Sequence, residues 1–452
     1  MKAEEGFPPE TPGVGSRLPH GAAHGHDLAV PKRTLQTLNV VAAVLAVLTL
    51  LGLVVWRPGN RATRPNVEQA GAPSSFYDAK VVDFRSDACQ GTPPESGIEC
   101  DLVTLRLLQG PDEGQSIDID FPQSETTPEV NRGDKLVLSY TPSAPSGFQY
   151  QFADRQRKPV LFWLAALFAL AVVILGRLRG FTALAGLCAS LVVLLAFAVP
   201  AIIDGRTPIG VAVVSAAAIS FFALYLAHGF TAMTTVALLG TLASLGLTSL
   251  LAIVFMELAQ FSGFASEEAT FLAATAGSID LRGLLLAGVV IGALGAIDDM
   301  TVTQASAIAE LHAANPTMGR RRLYLAGIRI GRDHVASTVN TLVLAYAAAS
   351  MPLLVLFVLS EQSLSSVANG EVVAIELVRT LVGSIGLVAS VPITTWLAAT
   401  CISPGEPASS NPASSDPASS APASNAPDSN APESGDPESG DPESSDVERE
   451  VN

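Results

Sequence analysis

Apolar residues in this chain fall mainly in long runs that are separated by short polar segments. A membrane-spanning helix needs about 20 predominantly apolar residues, because the hydrocarbon core is about 30 Å thick and a helix rises about 1.5 Å per residue. We therefore expect an all-α polytopic membrane protein with about eight transmembrane helices. The predicted spans are Leu38 to Trp56, Pro159 to Gly176, Phe181 to Ile203, Pro208 to Ala227, Thr234 to Leu258, Leu281 to Ile297, Val335 to Leu359 and Leu377 to Thr400.

A different pattern lies between the first two spans, at residues 57–158. There, apolar and polar residues alternate with a period of two, which is typical of strands with one buried face. The clearest examples are Asp101 to Leu107, Ser116 to Phe121 and Lys135 to Tyr140. They predict a small antiparallel β domain, for which an OB-like barrel is one candidate fold.

Basic residues beside the first span indicate its orientation. Lys32 and Arg33 precede it, and cytoplasmic segments carry the excess of Lys and Arg in multi-pass proteins. The long leader and the lack of a small-x-small cleavage pattern favour a retained anchor over a cleaved signal peptide. We expect residues 1–37 to be a disordered cytoplasmic leader, 38–56 an anchor helix and 57–158 an extracytoplasmic domain. A seven-helix membrane domain at 159–400 then returns the C-terminus to the cytoplasm, with the protein in the cell membrane.

Cys89 and Cys100 both lie in the predicted β domain. Disulfides persist in oxidising compartments, so an extracytoplasmic location predicts a bond between these two cysteines. Closing so short a loop contributes about 3 kcal/mol in the chain-entropy estimate. A metal site would need further ligands, which this segment lacks.

Composition supports a membrane location and sets the last segment apart. The chain is 49% hydrophobic and 15% charged, against about 25% charged for a soluble domain. Of the formal net charge of −16, −10 belongs to residues 402–452, where eight x-Pro-x-Ser-x pentapeptides run from Glu406 to Ser445. Regular prolines exclude helix and sheet, so we expect residues 401–452 to be a disordered acidic cytoplasmic tail. No basic cluster suits nucleic acid, which leaves the lipid bilayer and an unknown small solute or ion as partners.

The first candidate for chemistry is LLLAGVVIGALGAIDDMTVTQASAIAEL, from Leu284 to Leu311. Gly288, Gly292 and Gly295 form a small face that would let a neighbouring helix approach closely. If the helix continues, polar residues follow at spacings of three and four and form one stripe. Ionisable groups at membrane depth are costly, so this segment is a candidate substrate or ion pathway. Its candidate residues are Asp298, Asp299, Thr303, Gln304 and Glu310.

The second candidate segment is GIRIGRDHVASTVNTLVLAYAAASMPL, from Gly327 to Leu353. Asp333, Ser337 and Asn340 share one helix face, and His334 lies beside it. Both segments include the predicted cytoplasmic ends of consecutive spans, so their carboxylates and imidazole could meet and hold a cation or share a proton. The alternative is an interfacial role, in which the aspartates end their helix in water and nearby arginines contact lipid headgroups.

These two segments, in particular GAIDDMTVTQASAIAEL and the histidine-containing stretch that follows it, resemble the YibE/F-like integral membrane proteins. GRLRGFTALAGL, from Gly176 to Leu187, also fits that family. The resemblance extends over roughly Ala79 to Ala399 and excludes the leader and the tail. It implies a multi-pass membrane protein with an N-terminal extracytoplasmic β domain, and it implies no particular substrate or reaction.

Three classes of function remain open. Many spans with a polar, glycine-lined helix pair favour an ion-coupled transporter or permease. A non-transporting assembly or regulatory protein would instead bind partners through the β domain and the tail. An intramembrane hydrolase is disfavoured, because Asp298 and Asp299 point about 100° apart on a helix and an aspartyl dyad needs convergent carboxylates. We expect no enzyme activity and no cofactor, since no phosphate loop, zinc-protease pattern or nucleophile elbow occurs, while a metal and the oligomeric state are not identified by the sequence.

Overall fold

The structure is a computed structural model that describes residues 28, 30–59, 75–88, 99–122, 129–145, 147–275, 279–359 and 363–402. The acidic tail, most of the leader and Cys89 lie outside the described residues. The predicted disulfide and the disorder expected at both ends therefore stay predictions.

The β domain contains one antiparallel sheet, and all three predicted strands are confirmed. Strands β1 and β5 were not predicted from the sequence pattern. The strand order is β3-β2-β1-β4-β5, so β3 and β5 are the edges of a half-barrel. The strands are β1 Ser75–Ala88, β2 Glu99–Leu107, β3 Ser116–Pro122, β4 Lys135–Tyr140 and β5 Tyr150–Arg155.

Alternate residues of the strands build the core of this sheet, as the period of two requires. Leu105, Leu136 and Leu138 are fully buried in it. Tyr150 lies at the edge of the core, and its hydroxyl donates a 2.8 Å hydrogen bond to Asp112. Burial and the neighbouring Asp112 carboxylate both raise the pKa of Tyr150 above its usual value, so this hydroxyl stays protonated and keeps donating.

The remaining described elements are helical, and the predicted spans fall within them. Capping residues define two of the starts, since Thr231 accepts a hydrogen bond from the Thr234 amide and Asp280 accepts one from the Gly283 amide. The helices are α1 Lys32–Val55, α2 Lys158–Val192, α3 Val199–Ile203, α4 Pro208–His228, α5 Ala232–Leu258, α6 Glu267–Thr275, α7 Leu281–Ala314, α8 Arg320–Ala349, α9 Met351–Leu359, α10 Leu364–Asn369 and α11 Glu371–Cys401.

Six of the described helical segments are long and apolar enough to cross a membrane, by length and composition. They are α1, α4, α5, α7, α11 and the 46-residue segment Lys158–Ile203, which contains α2 and α3 joined by the π-helical turn Val193–Ala198. The pair α8 and α9 is bent by 63° and makes a seventh if it counts as one span. The chain is thus a membrane protein, and the count of eight spans stays a prediction.

The 46-residue segment is not one straight helix. Arg177 interrupts it with φ 52° and ψ −128°, a left-handed conformation that residues with side chains rarely adopt. The chain bends so sharply there that a Cβ atom on Gly180 would collide with the carbonyl oxygen of Val172. This break falls between the second and third predicted spans, each of which is long enough to cross a bilayer alone.

Helices α5, α7 and α11 contact one another and form the centre of the helical region. Glycines face threonines where these helices meet. A Cβ atom on Gly240 of α5 would collide with Thr394 of α11, and one on Gly386 of α11 would collide with Thr248 of α5. Lipid tails are as apolar as the helices, so close van der Waals contact of this kind replaces the hydrophobic effect as the force that joins them.

Replacing Gly240 with leucine tests this packing. The Gly240→Leu variant has no room for its side chain against Thr394, and we expect it to lose about 1 to 3 kcal/mol of stability, as overpacked cores do. Thermal unfolding in detergent should show the loss as a lower midpoint. Gly246→Leu is the matched control, because Gly246 lies on the same helix with no atom within 4 Å of the added Cβ. Equal midpoints for the two variants would contradict the packing described here.

Candidate functional site

One face of α7 remains uncovered along most of the helix. Its residues recur at spacings of three and four, which places them in one line along an α-helix. Each of them is exposed or half-buried, whereas Val290, Ile297, Met300 and Ile308 on the other sides of α7 are buried. We call this face the α7 stripe, and it consists of Gly288, Gly292, Gly295, Asp299, Thr303, Ser306 and Glu310.

The glycines of the α7 stripe were predicted to let a neighbouring helix approach closely, and this role stays a prediction. Side-chain tips, rather than another helix backbone, lie over two of them. A Cβ atom on Gly288 would be 3.7 Å from Arg379 Nη2, and one on Gly292 would be 3.0 Å from the Tyr346 hydroxyl. Nothing lies within 4 Å of a Cβ on Gly295. The closest helix contacts instead use glycines of α5, α8 and α11.

Arg379 of α11 places a positive charge near Gly288 of the α7 stripe. Its Nη1 donates a 2.7 Å hydrogen bond to Glu376 Oε1, one turn earlier on α11. The two side chains are 25% and 29% exposed, and Arg379 Nε is buried with no hydrogen-bond partner among the described residues. Neither residue was predicted as functional, although an arginine three residues inside the last predicted span is a signal that sequence reasoning could have used.

Asp299 and His334 meet in the middle of the α7 stripe. The positions of the two candidate segments in the sequence predicted such a contact. His334 Nε2 lies 4.0 Å from Asp299 Oδ2, which is an ion pair when the imidazole is protonated. The Asp299 side chain is 72% exposed, so the pair opens outward from the helices rather than into their core.

The end of the α7 stripe nearest Glu310 borders a cavity of about 1090 Å³. Thr303, Ser306 and Glu310 form one wall, and the opposite side includes Arg179, just after the break in α2, and His228, at the end of α4. Neither Arg179 nor His228 was predicted as a site residue from the sequence. The break at Arg177 lies two residues before Arg179, and no sequence pattern marks that bend.

Asp298 and Gln304 point away from the α7 stripe and join helices to each other. Asp298 Oδ1 accepts a 3.3 Å hydrogen bond from Ser220 of α4. Gln304, which is 1% exposed, donates a 2.8 Å hydrogen bond to the carbonyl oxygen of Gly327 on α8. The geometry gives both residues a structural task, and their role in a pathway stays a prediction.

The other three candidates on α8 do not meet the α7 carboxylates. Asp333, Ser337 and Asn340 are all exposed, whereas Gly327 and Gly331 on the opposite side of α8 are buried against α7 and α11. The candidate residues thus fall into three groups, with Asp299, Thr303, Glu310 and His334 along the α7 stripe, Asp298 and Gln304 between helices, and these three on the outer face of α8.

The described residues contain no cluster of three or more His, Cys, Asp or Glu side chains that could hold a metal ion. Asp299 and His334 therefore form a two-residue polar site, with Asp299 exposed and His334 half-buried. A carboxylate beside an imidazole can attract a cation or take part in proton transfer.

Long apolar helices around a polar stripe define the class of this chain, a polytopic α-helical membrane protein. Residues 164–404 match the family model described as YibE/F-like protein. The match covers more than half of the chain, so the protein belongs to the YibE/F-like family, as its two polar segments indicated. The matched range begins inside α2 and does not include the β domain. No curated protein and no solved structure matches this chain.

Cysteine accessibility tests whether water reaches the α7 stripe. Thiolates react with charged methanethiosulfonates only where water admits the reagent, so we expect Gly295→Cys to be modified faster than Gly246→Cys in native membranes. Both positions are exposed glycines in the middle of helices with no close neighbour. Cys188→Ser removes the exposed free thiol that the described residues contain. If both cysteine variants resist modification equally, lipid rather than water covers the α7 stripe.

Proposed function

We propose that this protein is an ion-coupled transporter or permease whose pathway follows the α7 stripe. The observation that carries the proposal is the uncovered line of glycines and polar residues on α7, to which every exposed residue between Leu281 and Glu310 belongs. Carboxylate and imidazole groups are expensive in hydrocarbon, so residues of this kind within spans usually mark solute, ion or proton paths. Gly295 leaves free space beside this line, because no atom lies within 4 Å of an added Cβ there.

The stripe supplies different chemistry along its length. Arg379, Glu376 and the Tyr346 hydroxyl lie at the glycine end. The Asp299 and His334 pair lies in the middle, where it can bind a cation or exchange a proton with a passing solute. Arg179, His228 and Glu310 surround the cavity at the other end, which can hold a small polar solute. No step of this proposal requires a catalytic reaction.

The proposed orientation places the chain in the cell membrane with both termini in the cytoplasm. Eight crossings result if the break at Arg177 separates two spans and if α8 with α9 forms one span. The β domain is then extracytoplasmic, and the cavity beside Glu310 opens toward the cytoplasm. The Lys and Arg content of the predicted cytoplasmic connections supports this arrangement.

Labelling from each side of the membrane tests the orientation. We expect Glu268→Cys to react with an impermeant reagent added to intact cells, and Arg321→Cys to react only after the membrane is opened. Both residues are exposed, so a difference reflects sidedness rather than burial. Labelling of both positions from the same side would contradict the alternation of spans.

Flux measurements test the transport proposal. We would reconstitute the protein in liposomes that contain a pH-sensitive dye and follow proton movement under imposed Na⁺ or K⁺ gradients. Native protein should exceed empty vesicles, and Asp299→Asn and His334→Ala should each reduce the flux about tenfold, equivalent to about 1.4 kcal/mol of lost interaction. Glu267→Gln, an exposed change on α6, should leave the flux intact.

Two results would count against different parts of this proposal. Flux equal to that of empty vesicles under every gradient would remove the support for ion coupling. Flux that persists unchanged in the Asp299→Asn and His334→Ala variants would show that the pathway lies elsewhere.

A second candidate function is a non-transporting assembly or regulatory protein. The β domain favours it, because Phe76, Val82, Phe84 and Phe148 are large apolar side chains that it leaves exposed. Exposed apolar residues of this kind can mark a surface that binds a partner. Photo-crosslinking from Phe84 would distinguish the two functions, since a specific adduct without any flux favours assembly.

A further inference from the structure

Helix α8 divides into two faces with opposite surroundings. Its inner face packs closely, since a Cβ atom on Gly327 would collide with α7 and α11 and one on Gly331 would be 2.8 Å from Gln304 Oε1. At 100° per residue, Asp333 and Asn340 point about 160° to 180° away from Gly331. Both are exposed, as expected for that direction. The polar face of α8 thus points away from every helix that α8 packs against.

This outer face continues into the part of the molecule that lies in lipid. Asn340 is two turns beyond Asp333, or about 10 Å farther along the helix, and the apolar α9 follows α8 after a bend of 63°. An amide surrounded by hydrocarbon lacks the hydrogen bonds that it makes in water. Asn and Ser side chains in such positions commonly bond across to another helix. The outer face of α8 therefore needs a polar cover that none of the described helices provides.

We propose that the outer face of α8 is the contact through which two copies of this chain associate. The face is complementary to itself, which identifies the second copy as its occupant. A twofold axis along the membrane normal brings equal depths of the two helices together, and the Asn340 amide has both the donor and the acceptor that pairing with its own copy requires. Arg332 and Asp333 carry opposite charges at one depth, so each can face the other residue of the partner copy.

This contact is independent of the proposed transport function. It leaves the α7 stripe free, because Asp299 and His334 lie on the inner side of α8. It also explains why three polar residues of the second candidate segment do not meet the α7 carboxylates. In this view Asp333, Ser337 and Asn340 serve association rather than the pathway.

Disulfide crosslinking in native membranes tests the proposal. In a Cys188→Ser background, oxidation should convert Asn340→Cys into a species of twice the chain mass. Thr338→Cys, on the inner face of the same helix, should stay monomeric. An adduct of any other mass would show a different protein on this face, and no adduct at Ser337→Cys or Asn340→Cys would show that the face is not an interface between copies. Each of these two outcomes overturns the proposal.

Association measured in nanodiscs supplies a second, non-cysteine test. Mass measurement of the full-length protein should show two copies per disc, and Asn340→Leu should weaken association about tenfold, as expected for the loss of a hydrogen bond between membrane helices. Asn340→Gln keeps the amide and should restore most of the association. Monomeric native protein, or equal association of the Leu and Gln variants, would contradict the role of Asn340. A thermal midpoint equal to that of the native protein shows that either variant is folded.

Discussion

Close contact between small side chains is the interaction on which the rest of this structure depends. In lipid the hydrophobic effect does not drive helices together, so α5, α7 and α11 must gain their attraction from dense packing and a few hydrogen bonds. Gly240 and Gly386 permit that density by facing Thr394 and Thr248. The 2.7 Å bond between Thr241 and Thr301 adds a polar link between α5 and α7 in the same layer.

This packing also determines where chemistry can occur. The centre of the bundle is committed to contact among helices, and α7 contributes most of its surface to it. What remains of α7 is a single line in which glycine and polar residues are tolerated because no helix needs to fit there. The position of the break at Arg177 then decides which charges reach the cavity end of that line. The packing contacts and the proposed pathway therefore occupy complementary parts of the α7 surface.

The periodicity of apolar and polar residues predicted the helices and strands well. It predicted less well which elements each side chain contacts. The alternation at Lys135–Tyr140 and the spacing from Asp299 to Glu310 each reflect the element's own geometry, which sequence expresses directly. The direction in which a helix faces depends on its partners, and α8 shows the limit, since His334 turns inward while Asp333 beside it turns outward. Arg379 was missed for a similar reason, because only the fold shows that a charge near a span end lies over Gly288.

The hydroxyl groups of α5 have a consequence for motion. Ser244, Thr248 and Ser249 donate to carbonyl oxygens one turn back in their own helix, at 2.8 to 2.9 Å. Their bonds therefore travel with the helix and do not tie it to α11. A small sliding of α5 along α11 would break none of these bonds and would cost mainly the refitting of threonine side chains against glycine. The fit of threonines against glycines, rather than these three hydrogen bonds, therefore sets the resistance to shear between α5 and α11.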